Sequence, residues 1–277
     1  MALISIILGI LLDRNWAGLK QWQQFGWFIK FSTFILEKTS EHLHNPTLRY
    51  LSVLAIPVLG VMLLQELIAS WPSPVSFLFA FAVFVYCLGS LEIEKSLEQL
   101  IKAINDKESA NTQNLIEEIT SESNIDDENI LDTVIQSSMN TIIDRLFGVI
   151  FWFAILGPVG AIIYRLSQEL KTIYSDDPVL AKSCERMLYL LNWLPERLLS
   201  ISFAITGHFE GALAAYHENK ETDRTQQYLL IDICHGALEG NDTDEKAAYL
   251  SAFRGLVLRS LIVWLTCIAL LTLLGWN

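Results

Sequence analysis

Residues 191–213 read LNWLPERLLSISFAITGHFEGAL and bring several chemically capable side chains into one short span. Trp193, Pro195, Glu196 and Arg197 place an ion-forming pair beside a proline in an otherwise apolar neighbourhood. Proline lacks a backbone N–H and disfavours helical geometry at the residue before it, so the spacing predicts a helix break or kink at Leu194. An arginine at such a break, with Asn192 close by, suits bidentate capture of a phosphate or carboxylate. Gly207-His208-Phe209-Glu210 adds an imidazole two residues from a carboxylate, the makings of a proton relay or a metal site. A lone histidine near a helix end is more often a hydrogen-bonded packing residue, so that plainer role stands beside the chemical one. Arg14, Arg165 and Arg186 also lie beside apolar runs and join the candidate anion binders.

Other chemistries find little support. The four cysteines are scattered, with no zinc spacing and no disulfide framework. The five histidines form no HExxH pair. Neither a phosphate-binding GxxxxGK[ST] loop nor a GxSxG nucleophile elbow occurs. No residue is therefore assigned as catalytic or metal-binding, and no cofactor is expected. The formal net charge of −12 repels nucleic-acid phosphates, so no nucleic-acid partner is expected.

The elements that must carry these residues belong to a membrane. The chain is 52% hydrophobic and only 18% charged, against about a quarter charged in soluble domains. Four apolar stretches, 51–68, 75–91, 147–164 and 256–276, approach the roughly 17–25 residues that a span needs. The expected fold is all-α, an integral membrane protein with about four transmembrane helices, since no strand alternation of any length occurs. Glu66 is the one carboxylate inside an apolar run, near its outer end.

Residues 1–50 are expected to form an interfacial, amphipathic segment. Its apolar start, 1–12, is too short to span and lacks the features of a signal peptide. Trp16, Trp22, Trp27 and Phe28, interleaved with Lys20 and Lys30, suit the headgroup level. Residues 51–91 read as a transmembrane hairpin turning at Trp71-Pro72-Ser73-Pro74. Basic residues on both flanks place its ends in the cytoplasm. Residues 92–146 read as an acidic cytoplasmic helical hairpin with helices near 92–110 and 125–147, Asn124 acting as a cap. From 92 to 132 there are twelve Asp or Glu against three Lys, which reads as a solvated loop with capping acids. Residues 147–164 either span or, broken at Leu156-Gly157-Pro158-Val159-Gly160, dip in and return. Residues 165–255 form a helical polar region with turns at 176–178 and 240–244, and their side of the membrane follows from whichever alternative holds. Residues 256–277 form the last transmembrane helix.

Three pieces occur in a telling order: Asp13-Arg14 after an apolar start, Gly157-Pro158-Val159-Gly160-Ala161 leading to Tyr164-Arg165, and Asn192-Trp193-Leu194-Pro195-Glu196-Arg197-Leu198. Their order and spacing resemble the membrane-bound adenosylcobinamide-phosphate synthase family of cobalamin biosynthesis. The Gly207-His208-Phe209-Glu210-Gly211-Ala212-Leu213 element and the chain length look much more like the AmpE family. That second resemblance implies a multi-pass protein of the bacterial inner membrane, tied to β-lactamase induction and peptidoglycan recycling. It also implies a membrane or cytoplasmic protein partner of that pathway. In the resemblance, Asp13, Gly157, Pro158, Gly160, Trp193, Pro195 and Gly207 are motif residues of structural character.

Departures from the synthase pattern bear on function. Where the synthases carry an acidic pair before the Asn-Trp-x-Pro-x-Arg motif, this chain has Leu188-Tyr189. After Tyr164-Arg165 it reads Leu166-Ser-Gln-Glu-Leu-Lys171, and residues 140–145 keep a single acid, Asp144. Amide formation needs a phosphate donor and usually carboxylate-held Mg²⁺. The expectation is a non-enzymatic regulator that senses an anionic cell-wall or lipid metabolite through Arg14, Arg165, Arg186, Asn192, Arg197, His208 and Glu210. The alternative is a divergent amide-forming synthase.

Overall fold

A computed structural model describes residues 2–15, 23, 25–40, 45–89, 92–122, 125, 129–219, 226–239 and 245–275. Every regular element among them is helical, so the fold is all-α. The chain divides into two compact units, one of Met1–Ser90, Asp144–Asn192 and Gly275–Asn277, the other of Leu91–Ile143 and Trp193–Leu274. Trp16, Lys20, Trp22, Asn124 and the turn at 240–244 lie outside the described residues.

The first unit contains α1 (Ala2–Asn15), α2 (Gly26–Ser40), α3 (Pro46–Ala69) and α4 (Ser73–Cys87). Asn45 caps α3, its side chain accepting from the Thr47 N–H at 2.9 Å, and Pro46 fills a first-turn position that needs no donor. Trp27 and Phe28 fall on α2, where Phe28 is buried and the exposed Trp27 donates its indole N–H to the Tyr86 hydroxyl at 2.7 Å. The 75–91 run is a helix of only 15 residues, about 22 Å of rise, shorter than the ~30 Å hydrocarbon layer. Glu66 is exposed on α3.

Three stretches are long and apolar enough to cross a membrane: Pro46–Ala69, Ile130–Ile173 and Lys246–Leu273. The middle one is not a single rod. It holds α7 (Ile130–Ile142), a π-helical turn (Ile143–Phe147) and α8 (Gly148–Ile173), and α8 is interrupted at Gly157, with φ 64° and ψ −148°. Only glycine adopts that backbone readily, and Pro158 then starts the next helical turn without needing a donor.

The two legs of α8 fold back on each other. Asp144 meets Gln168 at 2.6 Å, a Cβ on Gly148 would overlap the Tyr164 ring, and one on Gly160 would overlap the Trp152 carbonyl oxygen. Each pair sums to 312, which fixes one antiparallel register about Leu156. In a straight helix Asp144 and Gln168 would be about 36 Å apart. The backbone of 147–164 therefore doubles back at Gly157. From Asp144 to the apex is about 18 Å of helix, too little to span. Ile155 and Leu156 at the apex are exposed and apolar, whereas Phe153 below them packs on Phe84 with ring centroids 4.6 Å apart.

A second difference concerns Pro195. The helix expected to break there runs unbroken as α9 (Pro178–Thr206). Proline leaves the carbonyl four residues earlier, that of Leu191, without its helical donor. The Trp152 indole N–H donates to that oxygen at 3.1 Å, so the missing bond is replaced and the helix continues.

The second unit contains α5 (Glu92–Asn105), α6 (Ser109–Thr120), α7, the end of α9, α10 (Phe209–Asn219), α11 (Gln226–Ala237) and α12 (Lys246–Leu273). Residues 92–142 thus form three helices rather than a two-helix hairpin. A turn at 106–108, where Lys107 has φ 57°, divides the first expected helix. Arg254 of α12 meets Glu94 at 3.1 Å and Glu98 at 3.0 Å on α5.

Candidate functional site

The return leg of α8 carries Arg165, Gln168, Glu169 and Thr172, spaced i, i+3, i+4 and i+7, so they share one helical face. That face looks onto the open end of the hairpin, where the π-helical turn presents Asp144 and Arg145. Gln168 joins the cluster, donating to Asp144 Oδ1 at 2.6 Å and to the Tyr164 hydroxyl at 3.1 Å. Tyr164 in turn donates to Asn192 Oδ1 at 2.8 Å. One polar chain thus links the first leg, the return leg and α9.

Arg165 is the most constrained member, only 4% exposed. Its guanidinium pairs with Glu169 at 2.7 Å and lies 5.1 Å from the centroid of the Phe25 ring. Among the described residues its Nε has no hydrogen-bond partner. Burying a guanidinium costs several kcal/mol, which one carboxylate and one ring offset only in part. The side chain borders a cavity of about 360 Å³ lined by Asp144, Arg145, Arg165, Gln168, Glu169, Lys171, Thr172, Ser175, Ala181 and Glu185. Such a volume falls in the range of small-ligand sites.

Of the expected residues, Arg165 and Asn192 come together here. Gly157, Pro158 and Gly160 build the hairpin that presents them, and Pro195 frees the carbonyl that anchors Trp152. Asp13 is buried, with Gln23 Nε2 3.5 Å from its Oδ1, while neighbouring Arg14 is exposed. Arg186 is exposed on α9 and does not line the cavity.

The rest belong to the second unit. Arg197 is exposed, its guanidinium 4.5 Å above the Trp193 ring one turn earlier. Glu196 is buried. His208 caps α10: its Nδ1 accepts the Gly211 N–H at 3.1 Å, its N–H donates to the Ala237 carbonyl at 2.8 Å, and Glu239 lies 3.4 Å from the same Nδ1. Glu210 is exposed. A Cβ on Gly207 would stand 2.5 Å from the Ala237 oxygen, and side chains at Gly211 or Gly236 would overlap the facing backbone. The glycines of this element therefore let α10 and α11 touch backbone to backbone, and its histidine holds a helix start.

Sequence reasoning passed over Asp144, Arg145, Gln168, Glu169, Lys171 and Glu185 as candidates. The polar stripe from Arg165 to Thr172, following directly on an apolar run, is a signal for three of them, Gln168, Glu169 and Lys171. Cys184 and Cys234 are buried, and burial pushes the Cys184 thiol up to about 11 and raises that of Cys234 as well. Among the described residues, no three His, Cys, Asp or Glu side chains are grouped to hold a metal ion.

A family model described as "Regulatory signalling modulator protein AmpE" matches residues 1–276. The chain is also similar to proteins named "Cobalamin biosynthesis protein CobD". It is 31% identical to that of Chromobacterium violaceum over 88 residues, 30% of this chain and 28% of the relative. It is 28% identical to that of Stutzerimonas stutzeri over 98 residues, 34% and 32% of the two chains. A "Probable cobalamin biosynthesis protein CobD" of Methanocaldococcus jannaschii is 22% identical over 184 residues, 64% and 60% of the two chains. The matched stretches thus span between about a quarter and three-fifths of these relatives. No solved structure matches the chain.

Proposed function

This chain belongs to the AmpE family, and on that premise we propose that it is a membrane regulator that binds a small anionic metabolite in the Arg165 cavity. The observation that carries the proposal is the buried guanidinium itself, which borders a roomy polar cavity and has an Nε without a hydrogen-bond partner among the described residues. An incoming phosphate or carboxylate would take up that donor. The reading places the protein in a bacterial inner membrane, in the response that links peptidoglycan recycling to β-lactamase induction. A protein partner in that pathway would receive the signal.

A second reading, a divergent amide-forming synthase, draws on the partial likeness to proteins named for cobalamin biosynthesis. The two separate experimentally. In the first assay the purified protein, in detergent, is titrated with anhydromuropeptides and with phospholipid, alongside Lys171→Gln and Arg145→Gln. Binding that both substitutions weaken supports the regulator, and no binding by the wild type removes it. Magnesium-dependent ATP or GTP turnover by the same preparation would establish the enzyme instead.

A further inference from the structure

The charges around the Arg165 cavity are mixed, and their pairing is uneven. Arg165 is matched by Glu169 at 2.7 Å, and Asp144 accepts from Gln168 at 2.6 Å. A neutral amide cancels no charge, so among the described residues four charged lining groups lack an ion-pair partner, the cations Lys171 and Arg145 and the anions Asp144 and Glu185. Lys171 and Arg145 have no carboxylate within ion-pair distance, and Glu185, one turn after Ala181 on α9, has no cation within that distance. Lys171, Arg145 and Glu185 are exposed at the cavity mouth. A simple anion would satisfy Lys171, Arg145 and the Arg165 Nε, yet it would stand against the unpaired Glu185 carboxylate. A like charge at such a site costs affinity unless the ligand also presents a cation.

We infer that the cavity recognises a small zwitterion, with a carboxylate toward Lys171, Arg145 and Arg165 and an ammonium toward Glu185. An acidic amino acid, free or as the end of a short peptide, has this pattern. Thr172 and Ser175 add hydroxyls to the lining; that of Thr172 donates to the Gln168 carbonyl at 3.3 Å and keeps its lone pairs to accept from an ammonium. The inference rests on the proposal that the cavity binds an anion, and it adds the second half of the ligand.

The test uses two probes of matched length, glutamate and glutarate, the second lacking the ammonium. Each is titrated into the full-length protein in detergent, followed by calorimetry. Wild type should prefer glutamate by about tenfold, the size of one charge-assisted hydrogen bond. Glu185→Gln should abolish that preference while leaving glutarate binding intact or tighter. Lys171→Gln should weaken both probes. Both substitutions are at exposed positions, so neither threatens the core. If glutarate binds as well as glutamate and Glu185→Gln changes neither, the zwitterion inference is overturned while the anion site stands. If neither probe binds and Lys171→Gln has nothing to weaken, both fail.

Discussion

The doubled-back α8 makes a quantitative prediction about two of its glycines. Gly160 faces the Trp152 carbonyl, and an added Cβ would also come within 2.7 Å of the Leu156 Cβ. A backbone oxygen cannot rotate out of the way, so a methyl there must push the legs apart. Gly148 faces the Tyr164 ring, which is fully buried and pinned through its hydroxyl to Asn192 and Gln168. Overpacking of this kind costs about 1–3 kcal/mol, against a gain of up to about 1 kcal/mol when alanine replaces glycine in a helix. Gly160→Ala should therefore lose about 2 kcal/mol net, and Gly148→Ala somewhat less. Gly255 is the control: it lies inside α12 with nothing within 4 Å of an added Cβ, so Gly255→Ala should stabilise. Unfolding of all three variants in one detergent, followed by tryptophan fluorescence, gives the comparison. The double variant Gly148→Ala, Gly160→Ala should cost less than the sum by more than about 0.5 kcal/mol, because legs already separated make room for the second methyl. A Gly160→Ala protein as stable as the Gly255→Ala control would refute the hairpin packing.

Three further outcomes follow from single contacts. Trp152→Phe removes the donor to the Leu191 carbonyl while keeping an aromatic ring, and should destabilise by about 1–2 kcal/mol in the same unfolding assay. His208→Asn should retain most of the wild-type stability and His208→Ala should lose about 1 kcal/mol, since asparagine still caps a helix and alanine does not. Neither change should alter ligand titrations if the histidine serves only the fold. Because burial holds the Cys184 and Cys234 thiols protonated above their ordinary range, a thiol reagent at about pH 8 should leave both unmodified until the protein unfolds. Mass spectrometry of the labelled peptides reads this directly.

Much of the architecture was legible because hydropathy and length are properties of contiguous residues. The all-helical membrane character follows from runs such as 51–68 and 256–276, which fall on the long helices Pro46–Ala69 and Lys246–Leu273. The break at Gly157-Pro158 was legible for a similar reason, since a glycine with positive φ and a proline are local signals. What local signals cannot supply is the distant partner. Pro195 reads as a helix breaker until the Trp152 indole, 39 residues earlier in the chain, is seen to replace the lost donor. The Gly-His-x-Glu element reads as chemistry because side-chain type is visible in a sequence and backbone contact is not. Arg165 and Asn192 were identified by type alone. Their neighbours Gln168 and Asp144 were not, since a glutamine and a lone aspartate 24 residues apart acquire meaning only when the chain reverses between them.

The reversal at Gly157 also bears on how a hydropathy count reads the chain. A hydropathy count credits residues 147–164 with one crossing, and every later segment is then assigned the opposite face of the bilayer. A hairpin whose ends meet at Asp144 and Gln168 instead brings its two flanks back to one place. Lys171, which counting alone would put across the bilayer from Arg145, instead lines the same cavity. A single ligand in this cavity is within reach of both.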